Sequence, residues 1–442
     1  MKKSLYISAL SLSLMLSFSS CNNEIDDIFD QNAAERTESA MKDYEAFLLA
    51  DGGKWRMEYF CNSTEEGYNF IVSFRNDGSV TISGKNKYIN DGENAAFKTS
   101  TSLWDIIADY GPVLSFSSYN PVFHIFSAPY DIPGTTNPDT GTDIDETGKG
   151  HEGDYEFRFM EKVDENTLYL KGKKSGYSIM MYRVAPDFDD KAYFEEVDAT
   201  EKKLFNARFN RLILTTTDGE RFVMTGGASH IMTFYPEAGD AVTQVCTLNA
   251  LVKADGFSFP TVLDIQRANG EEIQVQHFIY NEEDGTAICQ ENDAVLTAED
   301  YTNIINTVGY VWQFPQANVN GQFATIYSSI VSDVKKKLKE TFRYFEFAYD
   351  NNGNYTLRFK SGKYTGMIYC EFQRETATTG RFVFNGECDA SASYYYNNIP
   401  GFKQLCDLIG SATVTFSSAS RLVPNVLTLS LNAEDSITLN LQ

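Results

Sequence analysis

From Lys54 onward, apolar side chains recur at every second position, and this alternation confines most of the chain to β-sheet. Tyr68, Phe70, Val72 and Phe74 fall on one face, Asn76-Asp77-Gly78 turns the chain, and Val80 and Ile82 return on that face, as a tight hairpin requires. Further strands are expected at 55–61, 96–101, 113–116, 155–163, 167–172 and 177–184, which makes eight. Eight antiparallel strands over about 130 residues, closing on an aromatic core, predict an up-and-down barrel with no open sheet edge; an eight-stranded sandwich is the alternative. A helix should precede the first strand. Asn32 and Glu35 read as a capping box, Ala34, Met41, Tyr44 and Leu48 share a face, and Gly52-Gly53 stops the helix.

With 442 residues, the chain is too long for one hydrophobic core. Ala185-Pro186-Asp187-Phe188-Asp189-Asp190 reads as a joint, followed by a helix with Phe194, Val197 and Leu204 inward. Strands are then expected at 212–216, 221–224, 231–234, 241–252, 256–265, 273–280 and 287–290. A third stretch begins near Thr307, with a helix that places Ile330, Val334, Leu338 and Thr341 on one face. Phe345, Phe347 and Tyr349 lead into Asn352-Gly353, Tyr355, Leu357 and Phe359 return, and the last strands fall at 426–431 and 437–441. The expected fold is therefore mainly β with a few short helices: an antiparallel barrel followed by one or two further antiparallel β domains. The divisions read as a leader at 1–20, an anchor and acidic tether at 21–36, a barrel domain at 37–188 and a β-rich region at 189–442 that divides, if at all, near 296–312. Gly53-Lys54-Trp55 resembles the G-x-W of lipocalin-type barrels, which makes the first barrel lipocalin-like.

The amino end carries Met1-Lys2-Lys3, an apolar run over 5–18 and then Ser19-Ser20-Cys21. The run is too short to cross hydrocarbon and reads as a cleaved export signal. Phe18-Ser19-Ser20-Cys21 resembles a bacterial lipobox, which makes Cys21 the expected lipid anchor and the only expected contact with the membrane. The tether 22–31 is polar and acidic, similar to surface-export signals of Bacteroidetes lipoproteins and equally a plain flexible spacer.

Acidic residues outnumber basic ones by 61 to 37, a net charge of −24, which repels polyphosphates and argues against nucleic-acid binding. Besides Cys21 there are six cysteines and no C-x-x-C; Cys388 with Cys406 is the favoured bridge, if any forms. Four histidines, His124, His151, His230 and His277, lie in no H-E-x-x-H, and no G-x-S-x-G occurs, so the sequence shows no enzyme or cofactor signature. Glycosidase carboxylates need only meet in space, so hydrolysis of a glycan or peptide stays as a lower alternative. Asp139, Asp143, Asp145 and Glu146 in a Gly/Thr/Pro/Asp-rich insert are the candidate calcium ligands, but their spacing is not that of an EF-hand and favours a solvated acidic loop. The aromatic run Tyr394-Tyr395-Tyr396 with Asn397 and Asn398, read as a loop before Ile399-Pro400, is the candidate ligand contact: rings to stack on, amides for hydroxyls.

The chain also resembles the DUF4302 family of Bacteroidetes lipoproteins. The residues that carry this are 27–36, Gly53-Lys54-Trp55, Gly67-Tyr68-Asn69-Phe70, 112–120 with His124, Gly150-His151-Glu152-Gly153-Asp154-Tyr155-Glu156-Phe157 and 168–173. The resemblance implies an outer-membrane, surface-facing companion of a TonB-dependent transporter and a substrate-capturing lipoprotein. The expected role is a non-enzymatic accessory that binds a glycan or peptide nutrient, or a structural partner of the transporter. The family has no established catalytic residues, so none is carried over.

Overall fold

The computed structural model describes residues 32–63, 65–90, 95–128, 151–237, 246–267 and 269–442. They form three rings of antiparallel strands in series: two nine-stranded sheets whose end segments are consecutive in the chain, then a closed eight-stranded barrel. Helix α1 (Ala33–Leu49) precedes the first ring, α2 (Asp190–Leu204) the second and α3 (Tyr301–Ile305) the third. The expected capping box is present at α1: Asn32 Oδ1 accepts from the Glu35 amide at 3.0 Å, and the Asn32 amide donates back to Glu35 at 3.2 Å. Cys21, the tether and the insert residues Asp139, Asp143, Asp145 and Glu146 lie outside the described residues.

In each ring the first strand pairs with the last, which distinguishes a barrel from a sandwich: Trp55 faces Arg183, Leu212 faces Ala298 and Trp312 faces Leu441. The first two rings contain nine segments because their fourth strand is bent. In the first, Ala95–Leu103 pairs with Ser79–Asn90, while Asp105–Ala108 pairs with Pro112–Ser115; the bend is at Trp104. The second bends at Ala250, between Cys246–Asn249 and Leu251–Lys253. Its closing strand, Val295–Ala298, is not marked by the alternation, nor is Asp105–Ala108 in the first ring.

The barrels are filled rather than hollow. Tyr59, Phe70, Phe116, Phe123, Phe126 and Phe157 meet inside the first barrel, most of them edge to face or tilted. Each such ring contributes roughly 2–3 kcal/mol of burial. The third barrel is plugged by helices: α4 (Gly321–Asp333) supplies Phe323, Tyr327 and Ile330, and α6 (Pro400–Ile409) supplies Phe402 and Leu405, against Phe342, Phe345 and Phe359. Between them runs α5 (Ala390–Asn398). Gly401 lets α6 approach α4, since a Cβ there would meet Ile330 Cγ1 at 2.5 Å.

The first two barrels are joined by polar contacts. The Gly67 amide donates to Ala250 O at 2.8 Å and Asn69 Nδ2 to Val252 O at 2.7 Å, while Tyr193 of α2 donates to Asn69 Oδ1 at 2.9 Å. Gly67 has no room for a side chain, because Phe60 and Leu251 crowd its Cα. Phe194, Val197 and Leu204 of α2 are buried, as its periodicity predicts. The favoured disulfide is corrected: Cys388 and Cys406 are both free thiols, Cys406 on the buried face of α6 and Cys388 at the end of its strand.

Candidate functional site

The described surface carries several grooves. A groove of about 670 Å³ between the second and third barrels includes Arg221 and Asp300, which neutralise one another at 3.1 Å. Another of about 610 Å³ contains Tyr349 and Tyr355, whose hydroxyls are taken up by Asn306 Oδ1 and Ile305 O. A third, of about 460 Å³, lies at the rim of the third barrel and is lined by Lys337, Leu338, Glu340, Tyr364, Ser391, Tyr394 and Tyr395. It alone among these presents well-exposed aromatic rings, Tyr364 at 44% and Tyr394 at 56% exposure.

Three stretches of chain build this cleft. The helix that begins as α4 continues through a turn at Val334–Leu338 and stops at Lys339, whose φ of 59° sends the backbone into the strand Phe342–Tyr349. That exit places Glu340 on the rim. Tyr364 opens the strand Tyr364–Arg374, just past the turn after Ser361. Asp389 caps α5 by accepting from the Ala392 amide at 2.6 Å, and one turn on, the helix projects Tyr394 outward and Tyr395 inward. Lys337 ties the two helices together: its Nζ pairs with Asp333 at 3.1 Å and donates to Asn398 O at 3.2 Å.

At the floor, the Tyr395 hydroxyl donates to Glu340 Oε2, and Ser361 Oγ donates to the same oxygen at 2.6 Å. Burial and this bond push the Tyr395 phenol up to about 12, so it stays a donor at physiological pH. Both bonds go to Oε2, which leaves Oε1 for a ligand hydroxyl. The arrangement offers two aromatic faces, one carboxylate acceptor and one ammonium group. Such a set suits a ligand with an apolar face and hydroxyl edges.

The segment 394–398 is helical, a correction to its reading as a loop. Tyr394 and Tyr395 line the cleft. Tyr396 packs partly into the core, and the amides turn back onto the helix, Asn398 Nδ2 to Tyr394 O at 2.8 Å and Asn397 Nδ2 to Ser393 Oγ at 3.4 Å. Lys337, Glu340 and Tyr364 escaped sequence reasoning, because nothing in their spacing marks them as neighbours of Tyr394.

A second charged cluster sits at the first joint. Glu65 receives the Tyr68 and Tyr88 hydroxyls at 2.9 and 2.6 Å and contacts His151; burial works against its charge, but these bonds hold its carboxyl down at about 2. Glu66 contacts His230 Nδ1 and pairs with Lys87 at 3.3 Å, while His230 Nε2 faces Glu201 at 3.4 Å. Burial alone would lower the His230 pKa, yet the bonds and charges of Glu201 and Glu66 raise it to about 9. Its charges pair across the joint, so this cluster acts as a lock between barrels, although His151 Nε2 and His230 Nε2 are buried without a hydrogen bond among the described residues. Among the described residues no set of three or more His, Cys, Asp or Glu is placed to hold a metal ion, and no helix is long and apolar enough to cross a membrane.

No curated protein is similar to this chain. Among solved structures, a porin-like protein from Bacteroides uniformis is 8% identical, over 88% of this chain and 96% of its own, with a TM-score of 0.09, too low to bear on the fold. The domain of unknown function DUF4302 matches residues 25–284. That span takes in α1, the whole first barrel, α2 and the second barrel as far as the strand Glu272–Asn281, and leaves the third barrel with its cleft outside. On a match over more than half its length, the chain belongs to the DUF4302 family.

Proposed function

We propose that this chain is an exported lipoprotein, anchored through Cys21 to the outer membrane and facing the cell surface, that binds a glycan in the cleft of its third barrel as a non-enzymatic accessory of a TonB-dependent uptake system. The observation that carries the binding reading is the pair of exposed tyrosines, Tyr364 and Tyr394, framing a carboxylate in a concave site. Pyranose rings stack their apolar face on such side chains and donate hydroxyls to an acceptor like Glu340. Binding is favoured over hydrolysis because, among the described residues that line the cleft, Glu340 is the one carboxylate, whereas glycoside hydrolysis uses two. The alternative of a structural partner draws support from the buried aromatic cores that fill the barrels among the described residues.

Titration with a panel of neutral oligosaccharides tests the binding reading. Tyr394→Ala and Tyr364→Ala are each expected to weaken affinity roughly 10- to 100-fold, about 1.4–2.8 kcal/mol, without changing the circular dichroism spectrum. A panel in which no member binds, together with co-purification of a transporter, would favour the structural partner. The location has its own test. A Cys21→Ser chain should fold normally and leave the membrane fraction, and its retention there would refute the lipid anchor.

A further inference from the structure

Aromatic rings in this protein are mostly hidden. Among the described residues those that are well exposed are all tyrosines: Tyr110, Tyr119, Tyr155, Tyr364 and Tyr394. Tyr364 and Tyr394 frame the cleft. Tyr119 and Tyr155, 69% and 45% exposed, lie on the first barrel and each packs its ring against His124, which is buried. The His124 ring centroid is 5.7 Å from that of Tyr119 and 5.6 Å from that of Tyr155, with interplanar angles of 36° and 35°.

The base of this platform is rigid. His124 Nδ1 accepts from the Asn120 amide at 3.0 Å, so the proton is on Nε2, which donates to Phe116 O at 3.1 Å. Burial lowers the pKa of this imidazole and keeps it neutral. Asn120 is itself fixed by Ser100 O and Ser102 Oγ, both at 3.2 Å, and by the Val122 amide at 3.0 Å. Tyr155 is held to the barrel wall through its carbonyl, which accepts from the Phe116 amide at 3.0 Å. The neighbouring Ser117 amide binds Leu103 O at 2.9 Å, which fixes the start of the segment that carries Tyr119. Two rings kept in water on an ordered base lose little freedom when a ligand covers them, which is the economy of a recognition surface.

We infer that Tyr119 and Tyr155, positioned by His124, form a second glycan-contact site, so that one chain grips a neutral polysaccharide through both its first and its third barrel. The inference rests on the glycan reading of the cleft. The net charge of −24 selects against sulfated or uronic polymers and leaves uncharged chains as the fitting class. An open platform suits the middle of a polymer, and linking it to the cleft adds avidity with no change in either site.

Calorimetry on the full mature chain tests this, with maltoheptaose, xylohexaose and mannohexaose as probes, followed by electrophoretic retardation in gels containing amylopectin, xylan or galactomannan. The unaltered protein is expected to take up two molecules of the active oligosaccharide. The Tyr119→Ala/Tyr155→Ala pair should take up one, and its retardation by the matching polymer should fall at least about tenfold. A stoichiometry of one that this pair leaves untouched overturns the second site and spares the cleft. Loss of one molecule in this pair, with no loss in Tyr364→Ala/Tyr394→Ala, supports the platform and removes the cleft. Binding of none of the probes overturns both. Circular dichroism confirms that each variant is folded.

Discussion

A Trp55→Ala chain is expected to lose about 3–5 kcal/mol of stability in its first barrel, the usual cost of deleting a fully buried indole. More than volume is at stake. The Trp55 Nε1–H donates to Leu48 O at 2.9 Å, satisfying a carbonyl at the end of α1. Arg183, from the closing strand, lies 4.2 Å from the Trp55 ring centroid and donates to Ala50 O at 2.6 Å and Phe47 O at 2.9 Å. The indole thus fastens the helix, the first strand and the last strand at one point. Because three barrels need not unfold together, hydrogen exchange is the fitting measurement, read on the amides of Lys54–Tyr59 and Ser178–Arg183. Trp55→Phe should cost less, about 1–3 kcal/mol, mainly for the orphaned Leu48 carbonyl. Protection reduced by less than about 1 kcal/mol in the alanine variant would show that the barrel closes without this fastening.

The second large effect belongs to the lock between the first and second barrels. Glu66→Gln leaves the buried His230 charge with Glu201 alone, and breaking such a pair typically costs about 3–5 kcal/mol. The pH dependence gives the signature. The folded-state pKa of His230, about 9, exceeds its unfolded value, so its contribution is complete below about pH 6.5 and is lost as pH rises through 9. Glu66 runs the other way: burial opposes its charge, but His230 and Lys87 hold its pKa below the ordinary value, so its contribution is present at neutral pH and fades on acidification. Thermal melts from pH 4 to 10 should therefore show the largest gap between the parent and Glu66→Gln chains near pH 5–6.5, shrinking on acidification below that window and as pH rises through 9. An equal gap at pH 7 and pH 10 would contradict the ion-pair account.

Sequence reasoning reached what is local. The capping box of Asn32 and Glu35 and the hairpin from Tyr68 to Ile82 are set by residues a few positions apart, and both are present. It missed Val295–Ala298, although that strand closes a barrel, because Val-Leu-Thr-Ala does not alternate apolar with polar residues. It misread 394–398 because Asn-Asn-Ile-Pro looks like a turn, whereas Asp389 caps a helix and burial of Tyr395 holds it. Cleft and lock alike join residues far apart in the chain: Glu340 and Tyr395 are 55 positions apart, Glu66 and His230 are 164. No spacing rule reaches that far; only the closure of the rings brings such groups together.

That closure also sets an order in time. A ring completed by its own final strand keeps a raw edge until that strand is made, so the second barrel exposes Arg211–Thr215 until residue 298 has emerged. A piece of chain ending at residue 284, where the family match stops, would carry that edge permanently and invite pairing with its neighbours, while one ending just beyond Ala298 would be sealed.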